Sequence, residues 1–410
     1  MKQFSVTKPV EVGSSLARML TVLKAQPGGR LYAHSVKLGH CWPTANQQWL
    51  LKTLFLPDNE AASAWRAWRD YNDPDLMDVP SMRLVPQLYR RLRALGIDDV
   101  WLPRFKGAYK KTWTNNQRLL LHTLPALSSF EQIKVSAVAL KGFAVTLKYL
   151  GADFGLRSMF DLDLLVPSAR AIQIVNHLVA NGWHLNANFS VGHLKQHALH
   201  QEHAREFTNG LGHADLHWHM LHQDPTDFVD DWVRGEAKPF TFRGHRFQVP
   251  SPTALLLHVC LHGVRYCSIP SVMWAADALT VVQAAPSEID WRALVALAQR
   301  RRLVLPVLDS LSFLESVVKG TVPREVLGEL RQSRTSRIEE LEYEALVTAP
   351  SRRSETLAAA MRYMVLLRQR QPAIDPDLLL STRSNPRRRS GARPAEKGPL
   401  TRALGVRARW

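Results

Sequence analysis

Between residues 159 and 166 the chain reads MFDLDLLV, so that Asp161 and Asp163 alternate with Phe160, Leu162, Leu164 and Val166. Successive side chains of a strand leave opposite faces. The pattern therefore predicts a strand that sends both carboxylates to one side, about 6.6 Å apart along the chain, and its apolar residues into the core. Carboxylate oxygens suit magnesium or manganese. These hard cations keep water and substrate phosphates as their remaining ligands, and two-metal sites hold their ions about 3.5 to 4 Å apart. A second run, HADLHWHM at 213–220, repeats the alternation, with His213, Asp215, His217 and His219 on one side and Ala214, Leu216, Trp218 and Met220 on the other. Asp215 is expected to join the first pair. Like charges gathered in a cleft raise one another's pKa unless a cation neutralises them, so Asp161, Asp163 and Asp215 are the expected metal ligands.

Upstream, AVALKGF at 137–143 predicts a strand that ends at Lys141-Gly142 and feeds a helix over 143–149. Glycine allows close backbone approach, amides at a helix start attract phosphate, and Lys141 and Arg157 add positive charge. Lys141, Gly142 and Arg157 are thus the expected phosphate contacts. Sixteen histidines invite a zinc reading, above all His193, His197, His200 and His203, then His213, His217, His219 and His222. Without an HExxH pattern or a cysteine partner, the preferred expectation is polar, partly exposed histidines bordering the cleft. His258 and His262 are expected to be packed, hydrogen-bonded helix residues.

The elements that position these groups follow from periodicity and turn signals. Helical patterns cover 47–56, 59–68, 82–95 and 104 to about 130, with Pro57-Asp58-Asn59 offering a capped helix start and Asn72-Asp73-Pro74-Asp75 a break. Trp42, Trp49, Trp65, Trp68, Trp101 and Trp113 recur there and are expected in the core. From Ile133 short β-preferring runs take over (IKVSAVAL, MFDLDLLV, HADLHWHM), with an amphipathic stretch at 169–180 and a hairpin at 239–251 turning at Arg243-Gly244-His245. After Pro252 the chain returns to helix, through TALLLHVCLHG, PSVMWAADALTVVQ, the Trp291 region and 303–318, and ends in a basic helix near 355–370. These readings divide the chain into a helical region 1–103, a mixed core 104–250, a helical region 251–372 and a basic tail 373–410.

The 410 residues include 53 Lys and Arg against 36 Asp and Glu, a formal charge of +17, with 46% apolar residues. That balance excludes wholesale disorder and fibrous repeats. Residues 381–410 carry nine basic residues and one acidic, +8 of the +17. So much Arg, Pro, Gly and Ser predicts a tail disordered in isolation and able to bind a polyanion such as RNA. Cys41, Cys260 and Cys267 make neither a disulfide framework nor a zinc spacing, and no apolar run approaches the ~20 residues of a membrane span. A cytoplasmic protein without membrane partners is expected.

Together, strand-LKG-helix, Arg157, DLDLLV and ADLHW resemble the uncharacterised nucleotidyltransferase group of the DNA polymerase beta-like superfamily. Its members show an LKG turn, an Arg shortly before a DIDLLV-like strand, and a later acidic or polar residue before LHW. The resemblance spans about residues 104 to 277, with His258, His262, Trp274 and Asp277 similar to an H…H…W..D pattern in the group. It implies an α+β fold, a small mixed β-sheet nucleotidyltransferase core flanked by helical regions. It also implies an enzyme in which Asp161, Asp163 and Asp215 hold Mg2+ or Mn2+, while Lys141, Gly142 and Arg157 steady an NTP. The implied reaction moves an NMP to a hydroxyl or amine of RNA or tRNA, protein or a small molecule, and releases pyrophosphate. Phe143 stands where the broader superfamily has a serine after the glycine, and eighteen residues separate Gly142 from Asp161. The alternatives are a non-catalytic binding protein that kept the fold and a toxin-like transferase acting on tRNA.

Overall fold

The computed structural model describes residues 41–185, 203–224 and 226–348; the basic stretch 355–370, the tail 373–410 and His193, His197 and His200 lie outside them. Among the described residues five α-helices come first: α1 (Ala45–Phe55), α2 (Asp58–Tyr71), α3 (Val79–Met82), α4 (Val85–Ala94) and α5 (Leu102–Gln132). A capping box starts α1, in which Thr44 accepts from the Gln47 amide and the Gln47 side chain accepts from the Thr44 amide. The expected cap at the start of α2 is absent, since Pro57 occupies the N-cap without a side-chain bond. The pattern over 82–95 forms one helix only from Val85, and Met82 closes the short helix before it. Pro86, which lacks an amide hydrogen and whose ring would crowd a preceding helical carbonyl, fits the first turn of α4 and ends α3 before it.

Trp42, Trp65 and Trp68 are buried as expected, but Trp49 and Trp113 are 37% and 48% exposed. On α1 the core face is taken by Leu50 and Leu51, and Trp49 falls outside it with Lys52 over its ring.

The centre is a seven-stranded mixed sheet in the order β3-β4-β5-β2-β1-β7-β6. Its strands are β1 (Val138–Ala139), β2 (Leu162–Leu165), β3 (His184–Leu185), β4 (Ala204–Thr208), β5 (His213–His217), β6 (Lys238–Phe242) and β7 (His245–Val249). β2 runs parallel to β5 and antiparallel to β1, and β1 runs parallel to β7. The hairpin β6-β7 turns through Arg243 and Gly244, both at positive φ, as a two-residue turn of matching twist requires.

Strands are shorter than the alternation predicts. The run at 133–140 pairs only at Val138 and Ala139, because α5 continues to Gln132 and Lys134 takes a left-handed φ of 53°. Ladder pairing in MFDLDLLV begins at Leu162, because the loop before it is bonded to α5 instead. Asn116, buried in α5, donates to the carbonyls of Phe154 and Arg157, both at 2.7 Å, and accepts from the Met159 amide at 3.1 Å.

Helices pack around the sheet. α5 lies against β5 and β7, and α6 (Lys141–Tyr149) against β2. α7 (Ala171–Ala180) follows β2, and α8 (Asp227–Glu236), not anticipated from sequence, precedes β6. The C-terminal helices are α9 (Pro252–Gly263), α10 (Met273–Ala284), α11 (Trp291–Arg301), α12 (Val304–Val317), α13 (Arg324–Gln332) and α14 (Arg337–Val347). The last two also escaped the periodicity reading. Each buries only a narrow stripe, Val326, Leu327 and Leu330 in α13, Tyr343 and Val347 in α14. α6 touches both α9 and α10, and these two pack closely because a Cβ at Gly263 would lie 2.0 Å from the Trp274 ring. Gln47 of α1 donates to the Pro270 carbonyl at 2.9 Å, and Trp42 stacks on Phe313 at 5.6 Å between ring centres. The described N-terminal and C-terminal helices therefore share one core.

Candidate functional site

Parallel pairing of β2 with β5 sets Asp163 directly beside Asp215, in the register Leu162↔Ala214, Asp163↔Asp215, Leu164↔Leu216. Two residues along β5, on the same face, His217 reaches back to both. Its Nε2 lies 3.2 Å from Asp163 Oδ1 and 3.0 Å from Asp215 Oδ2. Lys141 completes the cluster from the first position of α6. Its Nζ is 2.5 Å from Asp163 Oδ1, 3.9 Å from Asp215 Oδ2 and 3.4 Å from His217 Nε2. The lysine holds a left-handed φ of 44°, a conformation that costs a non-glycine residue about 1 to 3 kcal/mol and persists only when its surroundings demand it. Here the Leu140 amide is bonded to the Asp163 carbonyl at 2.9 Å, which pins the start of α6 to β2.

Asp161 sits just before the ladder and feels the charges of Asp163, Asp215 and Lys141. Burial, then repulsion from Asp163 and Asp215, pushes its carboxyl up to about 6. Burial would also raise Asp163, but the Lys141 ammonium and the His217 bond pull it far below the usual carboxylate range. Asp215 is likewise lowered against its burial, chiefly by His217. For His217, burial and Lys141 press downward, and the two carboxylates more than offset them, leaving it raised.

These donors fit a divalent cation. Asp163, Asp215 and His217 each present a ligand atom within 4.8 Å of the others, and Asp161 carries a like-charge repulsion that a divalent ion would relieve. The only other such group among the described residues is His219, Asp227 and Asp230. No described trio made of histidines alone meets that spacing.

Arg157 is placed differently from the sequence expectation. Its guanidinium is buried and bidentate on Asp277 of α10, Nε to Oδ1 at 3.0 Å and Nη2 to Oδ2 at 2.7 Å, while Nη1 donates to the Ser158 carbonyl at 2.8 Å. Gly142 makes room for it. A Cβ at Gly142 would stand 2.6 Å from the Arg157 guanidinium, so the glycine admits an arginine rather than opening onto solvent.

Behind the carboxylates lies a cavity of about 40 Å³ lined by His203, His217, His222, His258 and His262. Their rings follow one another: His222 stacks on His203 at 5.1 Å, His203 meets His217 at 5.4 Å, and His258 lies 6.2 Å from both His217 and His262. The expectation of partly exposed histidines fails for His217, which is buried, whereas His258 is packed inside its helix as expected; both leave their Nδ1 atoms without hydrogen-bond partners. A buried histidine in apolar packing stays neutral. Burial, reinforced by Lys141, holds His258 and His262 well below the usual histidine value.

Alternation already places His217 beside Asp215, yet its bridging role depends on the partner strand. Asn116 and the Arg157–Asp277 pair went unread for the same reason. A polar residue on the apolar face of α5, in step with Leu119, Leu120 and Leu124, was the available signal for Asn116.

A sheet carrying acidic residues on adjacent strands, next to a Lys-Gly helix start, defines a nucleotidyltransferase-like core. Residues 79–319, more than half of the chain, match the family described as uncharacterised nucleotidyltransferase, and the chain belongs to that family. A comparison with curated proteins finds no match. No described helix is long and apolar enough to cross a membrane.

Proposed function

We propose that the protein is a metal-dependent nucleotidyltransferase that moves an NMP from an NTP to an acceptor hydroxyl or amine. The observation that carries this reading is the side-by-side placement of Asp163 and Asp215, with Asp161 in electrostatic contact. Asp161, Asp163 and Asp215 would hold Mg2+ or Mn2+. Such an ion would polarise the phosphate oxygens and lower the pKa of an attacking hydroxyl. The acceptor oxygen or nitrogen gives its proton to Asp215 and bonds to the α-phosphorus, the bond from that phosphorus to the oxygen bridging the β-phosphate breaks, and pyrophosphate leaves with that electron pair.

Within the chain, His217 keeps Asp215 ionised as a ligand and orients both carboxylates. Lys141, whose side chain is 14% exposed, supplies positive charge on the phosphate side. Gly142 and Arg157 act as positioning residues: Arg157 ties the loop before Asp161 to α10, and Gly142 leaves it the space. Net charge of +17 supports RNA as acceptor. One observation favours a second reading, a binding protein that kept the fold. The Lys141 ammonium already compensates Asp163, as a cation would.

A single experiment separates the two. Incubation with each α-labelled NTP, Mg2+ or Mn2+ and a cell extract is expected to label one class of acceptor, with labelling reduced to background by Asp161→Ala with Asp163→Ala. Equal labelling by native and double-substituted protein overturns the transferase reading, and no labelling by either favours the binding protein.

A further inference from the structure

Phe160 immediately precedes Asp161, and 73% of its surface is exposed. A solvent-facing phenyl ring is ordinary by itself. This one, however, emerges from a loop held by three hydrogen bonds to Asn116, which fix where it stands. One side of the ring is backed by Arg83, whose guanidinium carbon lies 5.3 Å from the ring centre. Arg83 donates to the Ser158 carbonyl at 3.3 Å, and its Nε is buried without a hydrogen-bond partner. No carboxylate within the described residues forms an ion pair with it. The other two cations at the site are committed, Lys141 to Asp163 and Arg157 to Asp277. Arg83 is also close enough to Asp161 to feel its charge. The pair thus combines an electron-rich face, a cation behind it and an open side at the edge of the carboxylate cluster.

We propose that Phe160, backed by Arg83, is the nucleobase shelf of the nucleotide site, on whose open face the base of the donor NTP stacks while its phosphates reach the aspartates. The assignment rests on the transferase reading above. Arg83 lies 5.3 Å from the centre of the Phe160 ring and also feels the Asp161 charge, so ring and carboxylate flank one guanidinium, as the base and phosphates of a bound nucleotide would require. Base stacking on an aromatic ring tolerates every base, and its loss on alanine substitution corresponds to about 5- to 150-fold in affinity. Purines, with the larger π-face, depend on it more.

The test is equilibrium binding of α,β-methylene NTPs, which are not turned over, to the full chain with Mg2+. Tripolyphosphate serves as a baseless control and a single-stranded oligonucleotide as an acceptor mimic. Phe160→Ala is expected to weaken NTP binding about 5- to 150-fold, more for purines, and to leave tripolyphosphate unchanged. Phe160→Trp is expected to restore NTP binding. The exposed ring makes both variants compatible with the fold. Unchanged NTP binding by Phe160→Ala, or an equal loss for tripolyphosphate, overturns the shelf while the transferase reading stands. A loss confined to the oligonucleotide overturns it in favour of an acceptor contact. Failure of the native protein to bind any NTP removes both readings together.

Discussion

Asp161 shows most directly how the site spends stability on charge. In the unfolded chain its carboxyl titrates near 3.8, and in the fold near 6, so the folded state binds a proton that the unfolded state lacks between those values. The associated stability is present below pH 4 and is lost as pH rises through 6. Asp161→Asn removes the repulsion. The substitution is expected to stabilise the protein by about 1 to 3 kcal/mol at pH 8, with a gain that vanishes near pH 4, while Mg2+ or Mn2+ affinity falls at pH 8 and changes little near pH 4. Denaturant melts at the two pH values, paired with metal titrations, check it; a loss of stability at pH 8 would show that Asp161 is not under like-charge strain. That Asp163 and Asp215 each leave the polar face of a strand was legible in sequence, because alternation is a local rule; their register side by side, and the place of Asp161 just before the ladder, depend on the partner strand. The place of Arg157 was not legible, because its partner lies 120 residues away and the reading rested on a charge with no view of Asp277.

Among the elements, the join between the loop before β2 and α10 is the critical contact. Removing one member of a buried ion pair costs about 3 to 5 kcal/mol, whereas replacing both with apolar groups is often near neutral. Arg157→Met is therefore expected to unfold at lower denaturant by roughly that amount, and Arg157→Met with Asp277→Leu to regain most of it. Transfer activity is expected to stay low in the double variant, because nothing then fixes the loop that delivers Asp161. Additive losses in the unfolding midpoints would deny the coupling. Most element types were readable from periodicity, α8, α13 and α14 excepted, and the Arg243-Gly244 turn from its residues. Element ends were not, since Asn116 stops β2 from extending and Pro86 divides α3 from α4.

For the molecule as a whole, the neutral histidines set the acid limit. His203 is drawn down to about 3, first by burial and then by His217, and His258 and His262 also lie low. Unfolded histidines gain a proton below about 6.5 and these folded ones do not. Stability is therefore full above that pH and declines as pH falls, by about 1.4 kcal/mol per unit for each group. Three such groups outweigh the opposite contribution of Asp161. The melting temperature is expected to drop between pH 7 and pH 5, and less steeply in His258→Phe, which also removes the unpartnered Nδ1; parallel curves would clear the histidines of responsibility. Finally, the Gln47 amide finds the Pro270 carbonyl 223 residues further on. At a synthesis rate of about 5 to 20 residues per second, α1 waits roughly 10 to 45 s on the ribosome for that partner. Until then Trp42, which packs on Phe313, and its neighbours are exposed apolar surface on every nascent chain.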